Sequence, residues 1–581
     1  MARFRLAWLA LLALVVTLTT DVPSSSLHDT SLHADDWLAA VAALPPAHDL
    51  AVPANGDHWA LRVAYPTGRV DPRGPRAAPE HPRRMPTWRP PAAREGAALP
   101  VDRFVAIGPQ PLEMDGCTQC TPWGRVAGRI NAVLSDPSDP SVAYAGSDGG
   151  GVWKTTNCCT ADTTWEPVTD DPALATIAIG TMAFDPLDSD IVYAGTGDLR
   201  WSSWSFGSTG LLRSRNAGET WETLGAEVFA AALPQAPGAF PQNQAIGAVA
   251  VDPRTGTLVV GAKTGVYFSP DDGESWIGPC LTNAFADQRQ DITSLLVRDR
   301  GDATEVIAAV GVRGFGTPVQ PDLDQNGANG LYRTTVPEGA CPSVWEPLTS
   351  GWPEGTTEGE PFPANSVGRI DLARAPTDPD VIYAQVQSVE LRGQLGVWRS
   401  TDGGTTWEQR SDRFGLGGCV GDWPQNWYNQ NLTVAPDDPD TVFIQTVDLF
   451  RSQDGGETFI NLTCGYADMP RGVHVDHHGI AFVGENRNHL LVGTDGGVYI
   501  SLNVDANAPG NVFFQQINET LPTLEMYVGD LSRGFAYRPA PAVTAGMQDN
   551  GVGVNVFTDG IQAEEWQMTT GADGVVALIE P

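Results

Sequence analysis

Residues 399–410 read RSTDGGTTWEQR, a phrase that places serine, aspartate, two glycines and a tryptophan within positions 400–407, directly after an apolar run. Its aspartate has three readings: a catalyst, a metal ligand or a turn-forming residue. The phrase recurs as SRNAGETW (214–221), SPDDGESW (269–276) and SQDGGETF (452–459), with weaker copies ending at Trp165, Trp345, Phe513 and Trp566. Successive terminal aromatics lie between 52 residues (407 to 459) and 69 residues (276 to 345) apart. Five copies of a second phrase turn at a corner and resume as an apolar strand: DPSDPSVAYAG (136–146), DPLDSDIVYAG (185–195), DPRTGTLVVGA (252–262), APTDPDVIYAQ (375–385) and APDDPDTVFIQ (435–445). Repeats of this length, each with several short strands and tight turns, predict an all-β fold: a β-propeller of four-stranded antiparallel blades. Eight units predict about seven or eight blades, or the first part of a larger or tandem propeller.

The repetition also answers for the aspartate. In S-x-D-x-G-x-T-W the hydroxyl and the carboxylate can each accept from backbone N–H groups of one tight turn, and glycine supplies a left-handed backbone conformation. The aromatic then fills the space between neighbouring units. A motif present in nearly every unit is architecture, so structural roles fall to Ser214, Trp221, Ser269, Asp272, Trp276, Ser400, Asp402, Trp407, Ser452, Asp454 and Phe459.

Composition agrees with many turns and excludes some partners. The 581 residues include 63 Gly and 46 Pro, scattered along the chain. A net charge of −35 disfavours nucleic acid and anionic membranes as electrostatic partners. The N-terminus has two arginines, an apolar run from Leu6 to about Leu18 and then small polar residues, the form of a secretory signal over residues 1–22. No later segment is apolar enough to cross a membrane, so a secreted or cell-surface location is expected. Residues 23–103 are rich in Pro, Ala and Arg and lack a sustained period, which reads as a disordered leader. The propeller then occupies 104–581. The eight cysteines, including Cys117-x-x-Cys120, have no second CxxC or spaced His pair beside them and are read as disulfide staples.

The repeated phrase resembles the Asp box, or BNR repeat, of sialidases, of the xyloglucan-cleaving glycoside hydrolases of family 74 and of sortilin-type VPS10 propellers. The resemblance covers roughly 104–581. VDHHGIAF (475–482), GTDGGVYIS (493–501), AGMQDNGVGV (545–554) and GADGVVAL (571–578) are similar to secreted bacterial propellers of the BNR and sortilin-like kind. In family 74 a catalytic aspartate sits in a first-blade D-x-G-G-x-aromatic phrase, and Asp148 in Asp148-Gly149-Gly150-Gly151-Val152-Trp153 matches it. The second family carboxylate belongs to a second propeller, and Asp495 in GTDGGVY is a local look-alike. Sialidase activity is disfavoured, because GRIN (128–131) and GRID (368–371) are poor substitutes for an arginine cluster that reads a carboxylate.

In a blade with strands A to D from the axis outward, the repeated phrase is a C–D turn, so functional residues are expected on the opposite rim, in B–C and D–A loops. Those loops hold Asp148; Asp198, Trp201 and Trp204; Trp423, Trp427 and Tyr428; His474, Asp476, His477 and Asp495; and Gln548, Asp549, Asn550 and Asp573. Flat aromatic rings stack on sugar faces and carboxylates do acid–base work, a combination suited to a polysaccharide. Two metal readings stand beside this. His474-x-Asp476-His477-His478 has transition-metal ligand types, although strand alternation sends neighbours to opposite faces. Asp322-x-Asp324-x-Asn326-Gly327 matches the first half of a calcium loop, with Arg333 where the last ligand would stand. The expected function is binding, with hydrolysis where two carboxyls converge, of an extracellular polysaccharide; no cofactor is required, and calcium is a candidate ion. The alternative is a non-catalytic, sortilin-like propeller that binds a protein or peptide.

Overall fold

Where the sequence alternates short apolar strands with Asp-Pro and Gly-rich corners, the computed structural model folds antiparallel sheets. It describes residues 106–579 apart from 116, 118–120, 172–173, 175–177, 201–206, 231–243, 282–290, 312–328, 353–366, 389–392, 413–415, 418–424, 467–471, 536–539 and 559–563. The signal segment and the whole leader, residues 1–103, lie outside the described residues. Among the described residues no helix is long and apolar enough to cross a membrane.

Seven sheets follow one plan. Blade 1 consists of Ile130–Ser135, Ala143–Ser147, Gly151–Thr155 and Glu166–Pro167, paired in sequence order. Blades 2 to 7 begin with Ile179–Phe184, Ile246–Val251, Asp291–Asp299, Val367–Arg374, Asn431–Val434 and His477–Phe482. The second strand of each blade is buried on both faces, as in Ala143–Ser147, Val192–Thr196 and Leu490–Thr494, because blades stack face to face. That double coverage explains why these strands read as unbroken small and apolar runs rather than as an alternation.

The packing between blades is a knob in a hole. Gly146, Gly195 and Gly261 sit on second strands where an added Cβ would stand 2.7, 2.6 and 2.5 Å from Cγ2 of Ile179, Ile246 and Ile292, each on the next blade. Gly493 of blade 7 meets Ile130 of blade 1 in the same way, at 2.9 Å. Ile130, Val133 and Ala145 accordingly share one core with Leu491, Val498 and Ile500. Blades 1 to 7 therefore close a ring. Burying each isoleucine contributes on the order of 2–3 kcal/mol, and a side chain at any of these glycines overpacks the contact.

The eighth repeat does not enter that ring. Met526–Leu531, Ala542–Met547, Gly551–Val556 and Glu564–Thr570 form a separate sheet, extended by Pro109–Glu113, parallel to the last strand, and by Arg125–Val126. Its core of Leu112, Met547, Phe557 and Trp566 takes in Val447 and Val475 from the ring. A seam thus runs between the ring and the eighth sheet.

The repeated turns are held by their own side chains. Ser400 Oγ donates to Asp402 Oδ1 (2.8 Å) and accepts from the Gly404 N–H (2.8 Å), while the Thr406 N–H and hydroxyl donate to the Asp402 carboxylate at 2.8 and 2.7 Å. Trp407 closes the turn by donating from Nε1 to the Gly404 carbonyl (3.0 Å), and Gly404 has φ +86°. Ser452 and Asp454 repeat the pattern, and Phe459 is buried behind them. Ser214 pairs with Asn216 in the turn that ends at Trp221. One assignment is corrected. In the turn from Ser269 to Trp276 the pinned carboxylate is Asp271, which accepts from Ser269 Oγ and the Ser275 N–H at 2.9 Å each. Asp272 instead takes φ +65° and ion-pairs with Arg213 and Arg215. In S-x-D spacing Asp271 is the third residue, and the neighbouring aspartate obscured it.

Disulfides join Cys280 to Cys341 and Cys158 to Cys159, Cys117 and Cys464 are also disulfide-bonded, and no cysteine is free among the described residues.

Candidate functional site at the seam between the ring and the eighth sheet

Three second strands lead into turns that carry an aspartate. Asp148 precedes Gly151–Thr155, Asp495 precedes Gly497–Ser501, and Asp549 precedes Gly551–Val556. Asp198 follows the second strand of blade 2. Short Asp-Gly and Asp-Asn-Gly links suit these hairpins because they tolerate left-handed backbone; Asp549 has φ +57° and Gly551 +68°. The shared position places the four carboxyls at the same end of their sheets.

Asp148 is fully buried. Its Oδ1 accepts from Asn131 Nδ2 (3.1 Å), its N–H donates to the Arg129 carbonyl (3.2 Å), and the Arg129 guanidinium abuts Oδ2. Burial pushes its carboxyl well above the usual range against the pull of Arg129, and Glu525 and Asp198 add to the rise. Asp198 faces the same burial but is held below the usual range by Arg200 (Nη1, 2.9 Å) and Arg129 (Nη2, 3.4 Å).

A buried polar line runs from Arg129 to blade 7. Arg129 Nη1 donates to the Tyr428 hydroxyl (2.9 Å), which donates to Asp495 Oδ2 (2.7 Å), while His478 Nε2 meets Asp495 Oδ1 at 2.8 Å. Burial works against the Asp495 charge, yet His478, Arg129 and Tyr428 hold it below the usual range. Burial lowers His478 to about 4 and His477 to about 3, so both are neutral at neutral pH.

Asp495 also faces two further carboxyls, Asp476 and Asp549. Asp476, Asp495 and Asp549 each offer an oxygen within 4.8 Å of the others. Asp476 accepts from Gln425 Nε2 (2.6 Å) and Asn429 Nδ2 (2.5 Å). Burial, and then Asp495, push Asp476 well above the carboxylate range, and the same causes raise Asp549. The trio is close enough to hold a cation or to share protons; Asp549 is hydrogen-bonded to Asp495, which favours protons. Asp549 is only partly buried, and its N–H donates to exposed Asp573 Oδ1 (3.0 Å). The Tyr527 hydroxyl bonds Gln548 Oε1; burial, and then Asp549, Asp573 and Glu525, push it up. Asn550 Nδ2 ties the turn to the Asp495 carbonyl (3.0 Å).

The structure therefore brings together Asp148, Asp198, Tyr428, Asp476, Asp495, Gln548, Asp549, Asn550 and Asp573. Several roles differ from those read in sequence. Asp495 is buried, with Oδ2 accepting from the Tyr428 hydroxyl and Oδ1 facing His478 Nε2. Trp427 and Tyr428 are 6% and 5% exposed and are not a surface platform; the Arg129 and Asp495 contacts draw Tyr428 inward. His474 is buried against Trp123, ring centroids 4.0 Å apart, with Nδ1 near the Val475 carbonyl. His477 is fully buried and both its ring nitrogens lack hydrogen-bond partners among the described residues. Trp201, Trp204, Trp423, Asp322, Asp324 and Asn326 lie outside the described residues.

Sequence reading missed Arg129, Arg369, Glu525, Tyr466 and Tyr527. The arginines carried a signal in GRIN and GRID, each directly before the first-strand isoleucine. Arg369 is buried at the corresponding point of blade 5, where it donates to the Tyr428 carbonyl (2.8 Å) and pairs with Asp371 (2.8 Å). Tyr466, 46% exposed, lies over Trp123 beside the acidic trio.

Fold and site together define a β-propeller with a carboxyl-lined seam. No family model matches the chain. In sequence it is similar to a xyloglucanase of a Paenibacillus species, 25% identical over 368 residues, which is 54% of this chain and 34% of that protein. Over 158 residues it is 30% identical to a xyloglucanase of Hypocrea jecorina, covering 26% of this chain and 17% of the other. Xyloglucanase Xgh74A of Acetivibrio thermocellus is 23% identical over 335 residues, 49% of this chain and 38% of that one. The chain thus spans between 17% and 38% of the length of these curated relatives. Among solved structures it is similar to the family 74 xyloglucanase of Xanthomonas campestris, with a TM-score of 0.47 and 19% identity over 80% of this chain and 61% of that one. The family 74 enzyme of Niastella koreensis gives 0.48 and 16% over 76% and 60%.

Proposed function

We propose that the protein is an exported propeller that binds a xyloglucan-like polysaccharide along the seam and hydrolyses it between two carboxyl centres. The observation that supports this reading is that Asp148 on the ring and Asp549 on the eighth sheet follow second strands and stand at the same end of their sheets, with both carboxyls raised above the usual range. Asp549, partly exposed and raised above the usual carboxylate range by burial and by Asp495, gives its proton to the glycosidic oxygen as the C–O bond breaks. The Asp148 centre takes a proton from the water that bonds to the anomeric carbon. Such a division between carboxyls in different environments is how glycosidases run acid and base chemistry together. The aligned xyloglucanases support the substrate class.

The test is reducing-end release from xyloglucan by the full chain beside Asp549→Asn and Asp148→Asn. Release that falls at least a hundredfold in both variants supports the reading; release that is absent in the parent, or unchanged in the variants, removes hydrolysis. A second reading, binding of a protein ligand without catalysis, is favoured by exposed apolar side chains on and after the eighth sheet: Met526, Leu531, Val556, Val575, Val576 and Leu578.

A further inference from the structure

We infer that Tyr466 is the sugar-stacking platform of the seam: its ring takes the apolar face of a pyranose unit next to the Asp549 turn. This rests on the polysaccharide reading of the seam and adds a particular binding residue to it. Trp427, expected from sequence as a platform, is buried, whereas Tyr466 is 46% exposed. Tyr466 stands in the turn that follows the last strand of blade 6, Phe459–Asn461, and is the outermost member of a stack. Its ring centroid lies 6.0 Å from that of buried Trp123, Trp123 lies 4.0 Å from buried His474, and His474 Nε2 is 3.3 Å from the Asp549 carbonyl oxygen. Three rings therefore lead from solvent to the backbone of the Asp549 turn.

The turn that carries this ring is fixed at many points. Buried Asp448 accepts at Oδ2 from Asn461 Nδ2 (2.7 Å), and at Oδ1 from the Thr463 hydroxyl (3.0 Å) and the Gly465 N–H (2.7 Å). Asn461 Oδ1 in turn accepts from the N–H groups of Thr463 (3.0 Å) and Cys464 (2.9 Å), and Cys464 is disulfide-bonded. Trp123 Nε1 donates to the Gly465 carbonyl (3.1 Å), so the ring beneath Tyr466 also holds the residue before it. Position 465 is glycine because the turn presses on the chain entering blade 7: a Cβ there would stand 2.4 Å from Val475 Cγ1. An exposed ring held this firmly loses little further freedom when a ligand arrives.

A rigid ring supported from within and open to solvent suits a flat apolar partner. A pyranose with equatorial linkages offers one, because its axial C–H groups point to the faces while its hydroxyls lie at the rim. Acceptors for that rim stand nearby on the eighth sheet, where partly exposed Asp549 is joined through its N–H to exposed Asp573. The stack ends at the Asp549 backbone and not at its carboxyl, so the sugar on Tyr466 is held and not transformed.

The experiment measures retardation of the full chain in native gels that contain graded xyloglucan, beside reducing-end release, for the parent, Tyr466→Ala, Tyr466→Phe and Tyr466→Trp. Tyr466→Ala is expected to weaken binding about tenfold and to raise KM with kcat little changed, whereas the phenylalanine and tryptophan variants, which keep a flat ring, stay within about threefold of the parent. Urea midpoints separate this from a structural role: a ring that only supports the fold would move the midpoint and leave the dissociation constant of the folded chain unchanged. Equal dissociation constants for the parent and Tyr466→Ala overturn the platform, even where xyloglucan is hydrolysed. Retardation of the parent without release of reducing ends removes hydrolysis, and the variants still decide on the platform; a parent that xyloglucan does not retard overturns both.

Discussion

Replacing Tyr428 with phenylalanine tests the buried line that joins the two halves of the site. The variant keeps the ring and deletes one oxygen. That oxygen accepts from Arg129 at 2.9 Å and donates to Asp495 at 2.7 Å, at a residue 5% exposed. Hydrogen bonds to charged groups contribute roughly 1.5–3 kcal/mol each, and no cavity larger than a hydroxyl is made, so the loss of two should be about 3–6 kcal/mol at neutral pH. Its pH dependence is more diagnostic than its size. Asp495 is held below the usual carboxylate range in the fold, so its contribution is fully present above the ordinary aspartate value and is lost as pH falls through the depressed one. Without the tyrosine hydroxyl the folded value moves up, and the gap between parent and variant should be full at pH 5–7 and narrow below about pH 4. Urea denaturation followed by tryptophan fluorescence measures it. A loss below about 1 kcal/mol, or a gap that stays constant down to the acid limit of the folded state, would refute the reasoning.

Asp271→Ala removes three hydrogen bonds within its turn and should cost about 1.5–3 kcal/mol. Asp272→Asn keeps a side chain that tolerates positive φ and removes the ion pairs of a half-exposed carboxylate while buried Arg213 keeps Glu222, so it should cost under about 1 kcal/mol; thermal melts of the two variants settle which aspartate pins the turn. Cys280→Ser with Cys341→Ser opens a disulfide of sequence separation 61, which the chain-entropy relation puts at about 4 kcal/mol. Comparing the denaturation midpoint of this double variant with that of the parent measures it.

The fold was legible because its decisive interactions are local. A serine, an aspartate and a glycine within five positions write their own turn, as Ser400, Asp402 and Gly404 do, and repetition of that turn counts the sheets. Ring closure was less legible, since it depends on Ile130 meeting Gly493 and not on any phrase. The site was half legible. Asp148, Asp495 and Asp549 announce themselves as Asp-Gly hairpin links, but burial decides which of them a substrate can reach, and burial is a property of the assembled ring. Trp427 and Tyr428 look like a sugar platform beside Asp422 in sequence; in the fold, Arg129 and Asp495 give the tyrosine oxygen polar partners in the interior. Glu525 carried no motif, because its meaning comes from a turn at the other end of the chain.

The acids of this site share one residue chemistry and differ in what stands beside them. Asp198 has two guanidiniums, Arg129 and Arg200, and is ionised. Asp148 is raised above the usual range by burial, with one guanidinium, Arg129, against that rise and one carboxyl, Glu525, adding to it. Asp549 has Asp495, Asp476 and Asp573 as its strongest neighbours and must hold a proton of its own. The sequence follows the same gradient: arginines precede or follow the ring turns at 129 and 200, while the eighth-sheet phrase GMQDNGVGV contains no cation. Desolvation alone would neutralise every one of these carboxyls, so it is the placement of the arginines on the ring that makes one side of the seam an acceptor and leaves the other a donor.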